Sequence, residues 1–71
     1  MSKFEIPFIN LCIREFSKRF SISLSAAYEY LRRHDGIAFL EEFYDVEHLQ
    51  SIDETIDDLI VCCRNKGGYL V

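Results

Sequence analysis

Apolar side chains recur every three or four residues along nearly the whole of this chain. No stretch alternates with period two around hairpin turn chemistry. Three-to-four spacing gathers apolar groups on one side of a helix, whereas on a strand it would scatter them over both faces. In residues 4–20 the stripe is Phe8 or Ile9, Cys12 or Ile13, Phe16 and Phe20, widened by Leu11, with Arg14, Glu15, Lys18 and Arg19 opposite. Pro7 has no N–H to lose and a preset φ, which suits a first helical turn. The spacing predicts a helix from about 6 to 20.

Punctuation residues divide the rest. Ser23 can cap a second helix, in which Ala26 and Ala27 favour the conformation and Leu24, Ala27, Tyr28 and Leu31 form a face. Arg32 and Arg33 suit its negative end. His34-Asp35-Gly36 breaks it, with Gly36 the natural residue for positive φ. Ile37, Leu40 and Phe43 or Tyr44 mark a short third helix, with Phe43 facing the core. The stretch DVEHLQ is too short and mixed for an element and reads as a connection. Ser51-Ile52-Asp53-Glu54 is a capping box, in which Ser51 accepts from the N–H of Glu54 and Glu54 reaches back. Ile52, Ile56, Leu59, Ile60 and Cys63 follow on one face, Lys66 closes the helix, and Gly67-Gly68 stop it. The tail Tyr69-Leu70-Val71 is expected to pack down or pair. The fold class predicted is all-α, a compact bundle of about four short helices forming a single domain over 1–71.

Seventy-one residues bury only about 60% of their unfolded surface. Yet 49% of the chain is apolar, with six Phe and four Tyr. That content fits a dense core, or leaves some of it for a partner surface. Charge is divided along the chain. Residues 1–33 carry a net +3, and residues 34–60 carry nine acids with neither Lys nor Arg. The net charge of −4 argues against nucleic acid, which demands clustered cations. The helix that would read DNA in a helix-turn-helix, 37–44, carries Glu41 and Glu42. No run approaches a membrane span, and no leader pattern precedes the first helix. Cys12, Cys62 and Cys63 are odd in number, two are adjacent, and metal-type spacing is absent. They read as reduced thiols acting as small hydrophobes in a cytoplasmic protein.

Candidate chemistry centres on the connection. His48 with Asp45, Glu47 and Asp53 offers donors for a metal, but no dense ligand spacing is present, and a turn histidine bonded to backbone carbonyls or a neighbouring carboxylate is the plainer reading. No nucleophile or phosphate loop is specified, so neither an enzyme nor a cofactor is expected. Asp53 and Asp57 are four apart, as are Glu54 and Asp58, and like charges at that spacing cost helix stability. The helix dipole compensates Asp53 and Glu54, while Asp57 and Asp58 lie beyond the first turn and gain less. Either a cation from another element meets these acids, or they form a docking face, or they are simply solvated. Tyr44, Asp45, His48, Asp53, Asp57 and Asp58 are therefore the candidate partner-binding residues.

Phe8-Ile9, Cys12-Ile13, Phe16, Ile22-Ser23, Ala27, Ile37, Phe39-Leu40, Phe43-Tyr44-Asp45 and His48 together resemble a family of short bacterial proteins classed only as a domain of unknown function. The likeness spans roughly residues 8–60. Members run through a Ser-x-x-x-Ala helix start and a Tyr-x-x-x-His turn at these relative positions. Such genes often neighbour genes for ADP-ribosyltransferase-like proteins, which implies an antitoxin-like or accessory binding role. This chain departs from the pattern at Leu49, where many members carry Thr, and in the shorter loop leading through Gln50 to Ser51. The expected function is a non-enzymatic protein-interaction module, with a self-associating structural domain as the alternative.

Overall fold

A computed structural model describes residues 5–68, and among them every regular element is helical. The elements are α1 (Glu5–Phe20), α2 (Leu24–Arg33), α3 (Gly36–Glu42), α4 (Tyr44–Glu47) and α5 (Ile52–Asn65). The expected all-α bundle of four main helices is present, with a single helical turn added between the third and the last. The residues before Glu5 and the tail Tyr69-Leu70-Val71 lie outside the described residues.

Local chemistry sets most boundaries. Ser23 and Ser51 are extended N-caps, accepting from the N–H of Ala26 at 3.0 Å and of Glu54 at 3.2 Å. The box at Ser51 closes differently from expectation. Its hydroxyl donates to Glu54 Oε1 at 3.1 Å, so the two side chains bond each other. α1 and α5 end alike. Ser21 at φ 54° and Gly67 at φ 88° turn left-handed, and the next N–H reaches back to Ser17 O at 3.0 Å and Cys63 O at 2.8 Å.

α1 is central and touches α2, α3 and α5. It contributes Ile9, Cys12, Ile13 and Phe16 to the core; α2 gives Ala27 and Leu31, α3 gives Leu40, and α5 gives Ile56, Leu59 and Cys63. The stripes expected on α1 and α5 face inward, except that Leu11, expected to widen the first, lies beyond its edge and is exposed. That on α2 is rotated: Leu24 and Tyr28 are exposed, and the inward face runs Ala27, Tyr30, Leu31. Ring packing selects this register, because Phe16 stacks on Tyr30 with centroids 5.6 Å apart.

The α2–α3 corner corrects a second expectation. Asp35, not Gly36, takes the left-handed conformation, at φ 62°. Gly36 is the buried first residue of α3, and a Cβ there would stand 2.8 Å from Leu31 Cδ2 and 3.2 Å from Leu31 O. Its role is close approach between two helices.

The connection itself is a further correction. Residues 44–47 form α4, and the backbone bonds continue through Leu49 N to Val46 O and Gln50 N to Glu47 O, both at 3.2 Å. One turn of helix is too short to show a period in sequence. Phe43, expected in the core, sits at the α3–α4 junction and is 44% exposed, with its ring against Phe39. The last position of an inward stripe passes to Glu47, one turn on, which is only 5% exposed.

Candidate functional site: the α4–α5 corner

The six candidate residues fall into three local arrangements. Tyr44 opens α4 and His48 caps its C-terminus one turn on, and their rings stack at 4.4 Å with planes 5° apart. Tyr44 also meets Phe8 of α1 edge-on at 5.4 Å. His48 Nδ1 is bonded to the carbonyl of Tyr44. The pair thus ties α4 to α1, and one histidine nitrogen is used in doing so. Asp45 occupies the first turn of α4 on the solvent side.

The second arrangement involves a residue distant in sequence. Arg19, at the end of α1, reaches Asp57 Oδ1 with Nη1 at 3.0 Å and Asp53 Oδ1 with Nη2 at 3.7 Å. One guanidinium therefore answers the Asp53–Asp57 repulsion. The two carboxylates remain 88% and 67% exposed, so this pairing is worth only about 0.2–1 kcal/mol.

The third arrangement surrounds Asp58, which is half-buried and accepts from Gln50 Nε2 at 3.0 Å. Beside it lies Glu47. Thr55 of α5, fully buried, donates to the backbone carbonyl of Glu47 at 3.1 Å and so fixes α4 against α5. On the backbone held there, the Glu47 carboxyl lies buried beside Asp58. Burial pushes Glu47 up to about 7, and hydrogen bonding to Asp58 and that carboxylate's charge add to the effect, while Gln50 opposes it. Its Oε1 is buried without a hydrogen-bond partner.

Glu47 was not among the partner-binding candidates. The signal was present, since Leu40, Phe43 and Glu47 share one helical face at i, i+3 and i+7, but a glutamate at the end of an apolar stripe reads as its edge. The carboxyl pair opens into a groove of about 460 Å³ between α3–α4 and α5, lined by Phe39, Phe43, Glu47, Asp58, Val61 and Cys62, with Asn65 and Lys66 at its end.

Among the described residues, no three His, Cys, Asp or Glu side chains converge as metal ligands. Cys12, Cys62 and Cys63 are free thiols. Burial pushes Cys12 and Cys63 up to about 12, and burial followed by the charge of Asp35 raises Cys62. All three are shifted away from the thiolate a nucleophile requires. No helix of the described residues is long and apolar enough to cross a membrane.

No curated protein and no solved structure matches the chain. A family model described as "Protein of unknown function (DUF3791)" matches residues 7–66, which covers all five helices apart from the first two residues of α1. That span holds the caps, the core stripes and the Tyr44–His48 turn, and the chain belongs to the DUF3791 family.

Proposed function

We propose that this chain is a non-enzymatic protein-interaction module that engages its partner through α4 and the facing side of α5. The observation that carries this reading is an apolar set left in water. Phe43, Val46, Leu49 and Val61 are 44%, 60%, 79% and 57% exposed. Asp58 lines one groove with Phe43 and Val61, Asp45 adjoins Val46 on α4, and Asp53 and Asp57 lie further back along α5 against Arg19, with Tyr44 and His48 holding α4 in place. An apolar centre with a charged rim is the usual anatomy of a protein contact. The acidic rim favours a basic protein surface over nucleic acid. Three protonated thiols suit the cytoplasm. The family resemblance supplies the finer reading, an antitoxin-like or accessory partner of an ADP-ribosyltransferase-like enzyme encoded nearby.

Self-association is the second reading, favoured by a groove between α1 and α2 where Leu24 and Tyr28 are exposed beside Arg14. A second copy could place its acidic corner there. A photo-crosslinking residue at Leu49, and another at Ser25 in the α1–α2 groove, distinguishes the two. A single, reproducible foreign protein captured from Leu49 and not from Ser25 supports the module. Leu49-to-Ser25 crosslinks between copies support self-association. Capture from neither site, in the native host, refutes both.

A further inference from the structure

The groove between α3–α4 and α5 has a composition that the interaction reading does not explain. Its walls are apolar and aromatic, from Phe39, Phe43 and Val61, while its floor is a carboxyl pair. Glu47 is 95% removed from solvent, and one of its oxygens lacks a hydrogen-bond partner. A buried carboxylate oxygen without a partner is costly, and a native structure tolerates it where something else supplies the donor. The cation closest to hand, Lys66, lines the groove but directs its ammonium to Asp35 Oδ2 at 4.0 Å. No other Lys or Arg lines it among the described residues.

We propose that this groove receives one cationic side chain, a lysine or arginine carried by the partner protein, whose charged end meets half-buried Asp58 and draws the buried Glu47 carboxyl outward to it, while its methylene stem lies along Phe39, Phe43 and Val61. The inference rests on the interaction-module reading and names the chemistry of its partner. Three features match such a guest. A flexible aliphatic stem suits apolar walls. Phenyl faces attract a cation. A carboxyl pair, one oxygen of which already accepts from Gln50, supplies further acceptor lone pairs for the donors of an ammonium or the fork of a guanidinium.

Occupation is linked to a proton. Glu47 faces Asp58 and Gln50, and Cys12 of α1 feels its charge; Cys62 and Lys66 share the groove. Cys12 stays protonated, so it adds no charge of its own near neutral pH. A cation enters best when Glu47 is ionised, and its entry expels the proton to solvent. With ionisation centred at about pH 7, the ionised fraction rises about tenfold between pH 6 and pH 8. Affinity for the cation rises by up to the same factor, the contact with Asp58 being made at either pH.

The test is carbon NMR of the Glu47 side-chain carboxyl through a pH titration, with n-butylammonium or n-butylguanidinium as probe and n-butanol as the neutral control at matched ionic strength. The expected result is a midpoint lowered by about one pH unit when the amine stands at ten times its dissociation constant, with no movement in butanol. Chemical-shift changes of Phe39 and Phe43 should saturate at the same amine concentration, and both effects should vanish in Glu47→Gln. An unmoved midpoint overturns the proposal. So does an equal response to butanol, which marks an apolar slot only, or a midpoint moved by magnesium or calcium and not by the amine. Crosslinking from Leu49 in Glu47→Gln separates the two levels. Persistent capture with no amine binding removes the cationic side chain and leaves the module standing. Loss of capture in the wild type removes the module itself.

Discussion

Glu47→Gln should make the protein more stable above neutrality and nearly abolish one component of its pH dependence. The unfolded glutamate releases its proton near 4.5, whereas the folded one holds it to about 7. Between those values the native state binds a proton that the unfolded chain has lost, so stability falls as pH rises through the window. The penalty is absent below about pH 4.5 and complete above about pH 7. Each pH unit is worth about 1.4 kcal/mol, which sets a ceiling of roughly 3 kcal/mol. Half-buried Asp58 keeps one side of the pair near water, so about 1–3 kcal/mol is expected. That is a large share of the roughly 4–10 kcal/mol usual for seventy-one residues. Glutamine keeps the shape, removes the charge, and can donate to Asp58. Urea unfolding followed by helical circular dichroism, at about pH 5 and about pH 8, measures the effect in both proteins. The difference between the two proteins isolates Glu47 from every other titrating group. The variant should gain 1–3 kcal/mol on wild type at the higher pH and lie within about 1 kcal/mol of it at the lower. Parallel stability profiles would show that the carboxyl is solvated in the native state, and the account of the groove floor would fail.

The α2–α3 corner gives a pair of opposite expectations: Gly36→Ala should cost about 1–2 kcal/mol through the clash with Leu31, whereas Asp35→Gly should be neutral or stabilising by up to about 1 kcal/mol, both read by thermal unfolding. If alanine at 36 is harmless, close approach is not the reason for that glycine. A double-mutant cycle of Arg19→Ala and Asp57→Ala should return a coupling of about 0.2–1 kcal/mol that disappears in molar salt; a larger, salt-independent value would mean the pair is far less solvated than its exposure indicates. Thr55→Val should cost about 1–2 kcal/mol and speed amide exchange at Glu47 and His48, since it removes the bond that holds α4 on α5; unchanged exchange would place the anchor elsewhere.

What could be read in the sequence was whatever a few neighbouring residues decide among themselves. Ser23, Ser51 and Gly67 do their work within one turn, so their chemistry is visible in a short window. The stripes of α1 and α5 are long enough for the period to declare itself. Gly36 was assigned the right corner and the wrong task, because a close approach depends on where Leu31 lies in space. The face of α2 was misjudged for a similar reason: both candidate faces are amphipathic, and Phe16 chooses between them. Of the acids, the compensation of Asp53 and Asp57 was foreseen only as one option, since Arg19 stands 38 residues away from Asp57. Glu47 was named only as a sparse metal donor. Its burial follows from α4 and from Thr55, and neither a one-turn helix nor a threonine eight residues on leaves a periodic trace.

The placement of the cysteines also fixes how the molecule meets electrophiles. Cys12 and Cys63 have no solvent exposure, and burial keeps them protonated to about 12, so a reagent must wait for the core to open and the pKa to relax. Cys62 lies half-buried on the groove wall, with its thiol 3.9 Å from the carbonyl of Asp35. The chain therefore carries two reporters of different reach. Alkylation of Cys62 alone reports access along the groove wall of the folded chain, while joint alkylation of Cys12 and Cys63 times the loss of the whole interior.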